Sequence, residues 1–124
     1  MSFSGLKTSV RYFLESEPGR QARRADVAAS FQAAVVDVLI DRTARALDAG
    51  AYRAAVLSGG VAANSALQAA FLALARDRGI PAFVPEQRFC TDNAAMIAAA
   101  AARRGDGART DPKTLVADPN LRFA

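Results

Sequence analysis

Apolar residues recur at helical spacing over the first fifty positions and then contract into short blocks separated by glycine and proline. Leu6, Val10, Phe13 and Leu14 fall on one face of a short helix that Ser4 can cap, and Pro18-Gly19 stops it. A long second helix is predicted from near Asp26 to Gly50. Val27, Phe31, Val35, Val38 and Leu39 form its expected buried stripe, with Asp37, Asp41, Arg42 and Arg45 largely outside it. Ala54 to Leu57 reads as a strand ending in Ser58-Gly59-Gly60, followed by a helix from Ala62 to Arg78. Gly79-Ile80-Pro81 ends that helix, and Ala82 to Pro85 reads as a second strand. After a polar loop, Thr91 or Asp92 caps a last alanine-rich helix that closes at Arg103, Arg104 and Gly105.

The predicted order is α, α, β, α, β, α: an α/β class with four helices and two strands. Strands joined through a helix imply a parallel pair. Parallel sheets want several strands and both faces covered, so two strands leave open edges and read as the end of a larger domain. Residues 1–105 are expected to form this lobe. Residues 106–124, with Pro112 and Pro119, are expected to form an extended tail.

Composition narrows the chemistry. A chain of 124 residues and 13.0 kDa allows one domain. It holds about 30 alanines, which implies an interior of closely packed helices. The longest apolar run, Ala94 to Ala102, is too short to cross a bilayer, and no signal-peptide pattern opens the chain. A lone cysteine, Cys90, excludes an internal disulfide, fits a reducing compartment and reads as a small buried filler. There is no histidine, which excludes a Ser–His or Cys–His hydrolase and any His-based metal site built by this chain alone. The net charge is +4, with 14 of the 16 basic residues arginine. Arg20, Arg23 and Arg24 cluster where a loop is expected to run into the second helix. They suit either a phosphate-bearing partner or a solvated helix face.

Two segments carry candidate chemistry. In Val56-Leu57-Ser58-Gly59-Gly60-Val61-Ala62-Ala63-Asn64 a strand feeds a Gly-Gly turn into a helix. Glycines there let an anion or nucleotide approach the backbone, and the free helix N–H groups face it. No Gly-Lys-Ser/Thr follows, so this is not a Walker loop, and a plain tight turn is the competing reading. Asn64, one turn into the expected helix, either bonds a ligand or faces solvent. In Cys90-Thr91-Asp92-Asn93-Ala94-Ala95-Met96, helix capping explains at least one polar residue, and a carboxylate at a sheet mouth suits a cation.

Four segments occur in order: Phe3-Ser4-Gly5-Leu6-Lys7-Thr8, Asp26-Val27-Ala28-Ala29-Ser30-Phe31-Gln32, Gly59 to Asn64, and Cys90 to Ile97. Together they resemble the C-terminal part of the tRNA threonylcarbamoyl-adenosine transferases, once called O-sialoglycoprotein endopeptidases, across nearly the whole chain. The resemblance implies an actin/Hsp70/sugar-kinase-like (ribonuclease H-like) fold, of which this chain would be one incomplete lobe. It also implies a cytoplasmic enzyme that moves threonylcarbamoyl from its adenylate to the adenosine beside the anticodon. Carried over, Gly59 and Gly60 lie against the nucleotide or threonylcarbamoyl-adenylate, Asn64 binds that substrate, and Asp92 ligates a divalent metal, iron or zinc. Ser4 and Lys7 fall in a matched motif to which no chemical role attaches.

The departure from the family pattern concerns the other half. The family's metal site also uses a His-x-x-x-His helix from the N-terminal half, and this chain has no histidine. One carboxylate does not make a transition-metal site, so tight binding of metal, ATP or adenylate by this chain alone is not expected. The expected partners are the missing N-terminal half or a family partner subunit (an inactive paralogue or an ATPase), with tRNA met through the full enzyme, and self-association through open edges. The alternatives are a non-catalytic docking module derived from the family, and a sugar- or acetate-kinase end in which Gly-Gly serves adenosine alone. No membrane contact is expected, and no peptidase machinery is visible.

Overall fold

The computed structural model of the chain describes residues 3–104 together with Asp111, Lys113 and Val116, so the tail expected over 106–124 lies almost wholly outside the described residues. Among the described residues the α/β class holds, with five α-helices where four are expected. The additional helix comes from the segment expected to be a break and a loop. Helix α1 (Ser4–Glu15) ends at Ser16, whose extended backbone turns the chain. The Ser16 side-chain oxygen then accepts from the Gly19 N–H at 3.3 Å and caps α2 (Glu17–Gln21). Pro18 sits in the first turn of α2, where its missing N–H costs nothing, so it starts a helix as well as following one. Phe3 occupies the N-cap of α1, and Ser4 is its first residue.

Helix α3 spans Arg24–Asp48, so Arg24 opens the helix and Gly50 lies two residues beyond its end. Its expected stripe is not buried. Val27, Val35 and Leu39 are half-buried, and Phe31 and Val38 are exposed, because this long helix is covered along part of one side only. Asp37, Asp41, Arg42 and Arg45 are exposed as expected.

The strands are shorter than the apolar runs: β1 is Ala55–Val56 and β2 is Ala82–Phe83. They pair in parallel, Ala55 with Ala82 and Val56 with Phe83. Between them a 3₁₀ turn, Gly60–Ala63, precedes helix α4 (Ser65–Asp77). Gly79, at φ +64°, ends α4 as expected: its N–H donates to the Arg76 carbonyl at 3.0 Å, and the Ile80 N–H reaches the Ala75 carbonyl at 3.1 Å. A short 3₁₀ turn, Gln87–Phe89, leads to α5 (Ala94–Arg104).

The core is small and centred on α4. Leu67, Phe71, Leu74 and Ala75 form one helical stripe, joined by Ala55, Ala62 and Cys90. Helix α4 covers the sheet face that carries Ala55, while Val56 and Phe83, neighbours on the opposite face, are 69% and 60% exposed. The alanines do not build a dense interior: Ala55, Ala62 and Ala75 are buried, whereas every residue of α5 is exposed. Alanine in α5 serves helix propensity rather than close packing.

Candidate functional site

Because β1 and β2 run parallel, the segments that follow them leave from the same end of the sheet. These are the Leu57-to-Asn64 turn and the loop toward α5, the two segments singled out by sequence. Ligands of α/β sheets gather at the carboxyl ends of strands.

Gly59 is held at φ +89°, ψ 175°, an extended left-sided conformation open in practice to glycine alone. A Cβ on Gly59 or Gly60 would meet none of the described atoms within 4 Å, so both backbones border open space. The Gly59 carbonyl accepts the Ala62 N–H at 2.9 Å, closing the turn. Gln68 steadies it from α4, its Nε2 donating to the Ala62 carbonyl at 2.7 Å. Both glycines are thus exposed backbone at the start of a 3₁₀ turn that precedes helix α4.

Asn64 differs from its expected position. It is the N-cap of α4 rather than a residue within it, because the Gly60–Ala63 segment winds as a separate 3₁₀ turn. Its Oδ1 accepts the Leu67 N–H at 2.9 Å, and its Nδ2 donates to Gln32 Oε1, also at 2.9 Å. The side chain therefore satisfies the helix end and ties the turn to α3. Beside it lies a cavity of ≈ 310 Å³ between α3 and the turn, floored by Phe31, Val35 and Leu39 and edged by Gln32, Val61 and Asn64.

Asp92 is exposed in the loop before α5. The cap of α5 is Asn93, not Thr91 or Asp92: its Oδ1 accepts the Met96 N–H at 3.0 Å, and its Nδ2 donates to the Thr91 carbonyl at 2.8 Å. Asparagine three residues before that N–H closes the loop with the geometry a cap needs, which leaves the Asp92 carboxylate outside the cap. Among the described residues no group of three His, Cys, Asp or Glu side chains gathers to hold a metal. Asp92 offers one carboxylate in a solvated loop, so the residues present do not make up an iron or zinc site. Cys90 is buried, as expected of a filler, its thiol facing the Glu86 carbonyl at 3.6 Å.

Sequence reasoning missed Gln32 and Gln68 as supports of this turn. Gln68 sits one turn into α4, within local reach of the 3₁₀ segment. Gln32 lies 32 residues before Asn64, and only the packing of α3 on α4 brings the two amides together.

Residues 1–99 match the family model described as tRNA N6-adenosine threonylcarbamoyltransferase. Relatives carrying that name are similar to the chain across most of its length. The protein of Salinibacter ruber is 46% identical over 98% of this chain, and that of Carboxydothermus hydrogenoformans is 47% identical over 97%. The Symbiobacterium thermophilum protein is 52% identical over 80% of the chain. The chain spans about a third of the length of these relatives: 38%, 35% and 29% respectively.

Proposed function

The chain belongs to the tRNA N6-adenosine threonylcarbamoyltransferase family, and from that premise we propose that it forms the C-terminal lobe of such an enzyme's substrate cleft. The observation that carries the reading is the Gly59-Gly60 turn: backbone bordering open space, in a glycine-only conformation at Gly59, at the carboxyl end of a parallel strand and ahead of a helix start, within the matched residues. An acyl-adenylate needs close backbone approach to its phosphate, and the open space beside Gly59 and Gly60 permits that approach.

In this reading the Gly59 and Gly60 backbone lies against threonylcarbamoyl-adenylate or ATP, and Asn64 fixes the turn and meets the substrate from its edge. Asp92 would be one ligand of a divalent metal whose other ligands come from outside this chain. The reaction is transfer of threonylcarbamoyl from the adenylate to the exocyclic nitrogen of the adenosine next to the anticodon. Positioning an acyl-adenylate against its acceptor needs groups converging from two sides. This chain offers one side, so the reading includes an N-terminal half that completes an actin/Hsp70-like cleft in the cytoplasm. The bare sheet face at Val56 and Phe83 is where further secondary structure would pack.

The test is a chimera. Residues 1–99 of this chain replace the matching segment of the Salinibacter ruber relative, and threonylcarbamoylation of tRNA is measured. Activity in the chimera, lost on deleting the segment and absent from this chain alone, supports the reading. A folded chimera that binds tRNA but transfers nothing would favour the non-catalytic docking module, and transfer by the isolated chain would overturn the need for a second half.

A further inference from the structure

Helices α1 and α3 are joined through the short α2, which holds the buried Gly19, and a cleft of ≈ 700 Å³ lies between them. Its floor is aliphatic and aromatic: Val10 and Leu14 from α1 face Val27, Ala28 and Phe31 from α3. Lys7 of α1 and Arg24 of α3 stand with these residues, at positions 7, 10, 14 and 24, 27, 28, 31. Each set is a two-turn stripe along one helix face. Two such stripes held apart leave the space that a third helix fills by ridge-into-groove packing. Leu14 and Phe31 are 40% and 37% exposed, so the floor is open.

The charge around the cleft has one sign. Lys7, Arg20 and Arg24 line it, and among the described residues no carboxylate does. The Arg20 guanidinium donates to the Glu15 main-chain carbonyl at 2.8 Å, which fixes it without neutralising it. Other cations nearby are already paired with carboxylates: Arg11 with Glu15 at 2.9 Å and Arg23 with Asp26 at 3.8 Å. A second cleft between the same two helices, ≈ 440 Å³, shares Val10, Ala22, Val27 and Phe31 with the first but has the reverse character: among the described residues it carries Asp26 and no basic residue. Cationic rim and apolar floor coincide only in the first of these two clefts.

We propose that this cleft is a docking groove for an amphipathic helix of another protein, with acidic residues flanking its apolar face. The groove is independent of the Gly59-Gly60 turn and of the reading given for it. RNA fits less well. Single-stranded RNA asks for stacking platforms beside unpaired arginines, whereas this floor has one aromatic ring, and two of the nearby arginines are taken by carboxylates.

The test uses the whole chain and two labelled synthetic peptides of about 14 residues, four helical turns. Both carry leucine at i, i+3, i+4 and i+7; one has glutamate at the flanks, the other lysine. Fluorescence anisotropy is expected to show saturable binding of the glutamate peptide, about tenfold tighter than the lysine peptide. Lys7→Glu or Arg24→Glu is expected to reduce or reverse that preference, while Arg53→Glu, outside the groove, leaves it unchanged. All three residues are exposed, and an unchanged unfolding temperature confirms that each variant folds; Arg24→Ala serves if a reversal does not. Equal affinity for the two peptides, or an equal effect of Arg53→Glu, overturns the proposal. So does a single-stranded RNA that binds with the same variant pattern while neither peptide does.

Discussion

Asn64 Nδ2 donates to Gln32 Oε1 at 2.9 Å while Asn64 Oδ1 accepts the Leu67 N–H at the same distance, so one amide joins α3 to the start of α4. Both polar ends of the Asn64 side chain are thus engaged in holding the fold. A ligand reaching Asn64 must share its amide or take the place of Gln32.

Asn64→Ala is expected to cost about 1 kcal/mol of stability, within the usual range of about 0.5–2 for loss of an N-cap. Asn64→Asp keeps the capping oxygen and places a negative charge at a helix N-terminus, and the Gln32 amide can turn to donate to it. It should therefore stay within about 0.5 kcal/mol of the parent. Chemical denaturation of the three proteins checks this. If alanine and aspartate lose equally, the cap is not what the side chain contributes.

Gly59 and Gly60 are neighbours with different demands on the backbone. Gly59→Ala forces a side chain into φ +89°, ψ 175°, at a cost of about 1–3 kcal/mol, although space for the Cβ exists. Gly60 has no positive φ and equal space, so Gly60→Ala should be neutral or stabilising by up to about 1 kcal/mol. If the proposed reading holds, the same Gly60→Ala methyl in the chimeric enzyme stands where the adenylate approaches. Weakened adenylate binding with unchanged thermal stability is the expected pair of results. Unchanged binding would remove Gly60 from the site.

At Gly19 the requirement is close approach. A Cβ there would overlap the Phe13 carbonyl of the preceding helix, which is backbone and cannot swing aside. Gly19→Ala should destabilise the α1–α2 corner by about 1–3 kcal/mol, the usual cost of overpacking. Faster amide exchange at Ser16 and Gly19 than in α4 would locate the damage there, and uniform loss across the chain would argue that the corner and the core unfold as one.

Much of this was legible from local sequence, and the failures have a common cause. The strand–Gly-Gly–helix order, the parallel pair and the Gly79 ending are written in short-range signals, and each is found. The placement of Asn64 at the cap rather than within the helix turned on a 3₁₀ segment four residues long, shorter than any periodicity can report. Three adjacent polar residues, Thr91, Asp92 and Asn93, all suit the cap of α5, and only the bond from the Met96 N–H to Asn93 separates them. The apolar spacing of α3 marks a face that can be covered, not one that is. Phe31 lines both a cleft shared with α1 and the cavity beside Asn64, and stays exposed.

The second tie between α3 and α4 lies at their other ends. Arg78 grips Asp48 with two bonds, Nε to Oδ1 at 2.9 Å and Nη2 to Oδ2 at 3.1 Å, across 30 residues of sequence. The hydrogen bond from Arg78 holds the Asp48 carboxyl below the ordinary value of about 3.9; desolvation opposes it less strongly, and the Arg78 charge adds a lesser lowering. The Arg78 guanidinium is pushed up in turn, outside any pH at which the protein would be handled. A carboxyl with a lowered folded-state pKa binds protons more readily when unfolded. Its stabilising effect is therefore complete above about 3.9 and is lost as pH falls through the lower folded value. Acid titration of stability should accordingly be less steep below pH 4 in Asp48→Asn than in the parent, with the two curves parallel near neutrality. Both side chains are partly solvated, so high salt should narrow the difference between the proteins. Identical acid slopes would mean that α3 is held to α4 by the Asn64–Gln32 bond and apolar contact alone.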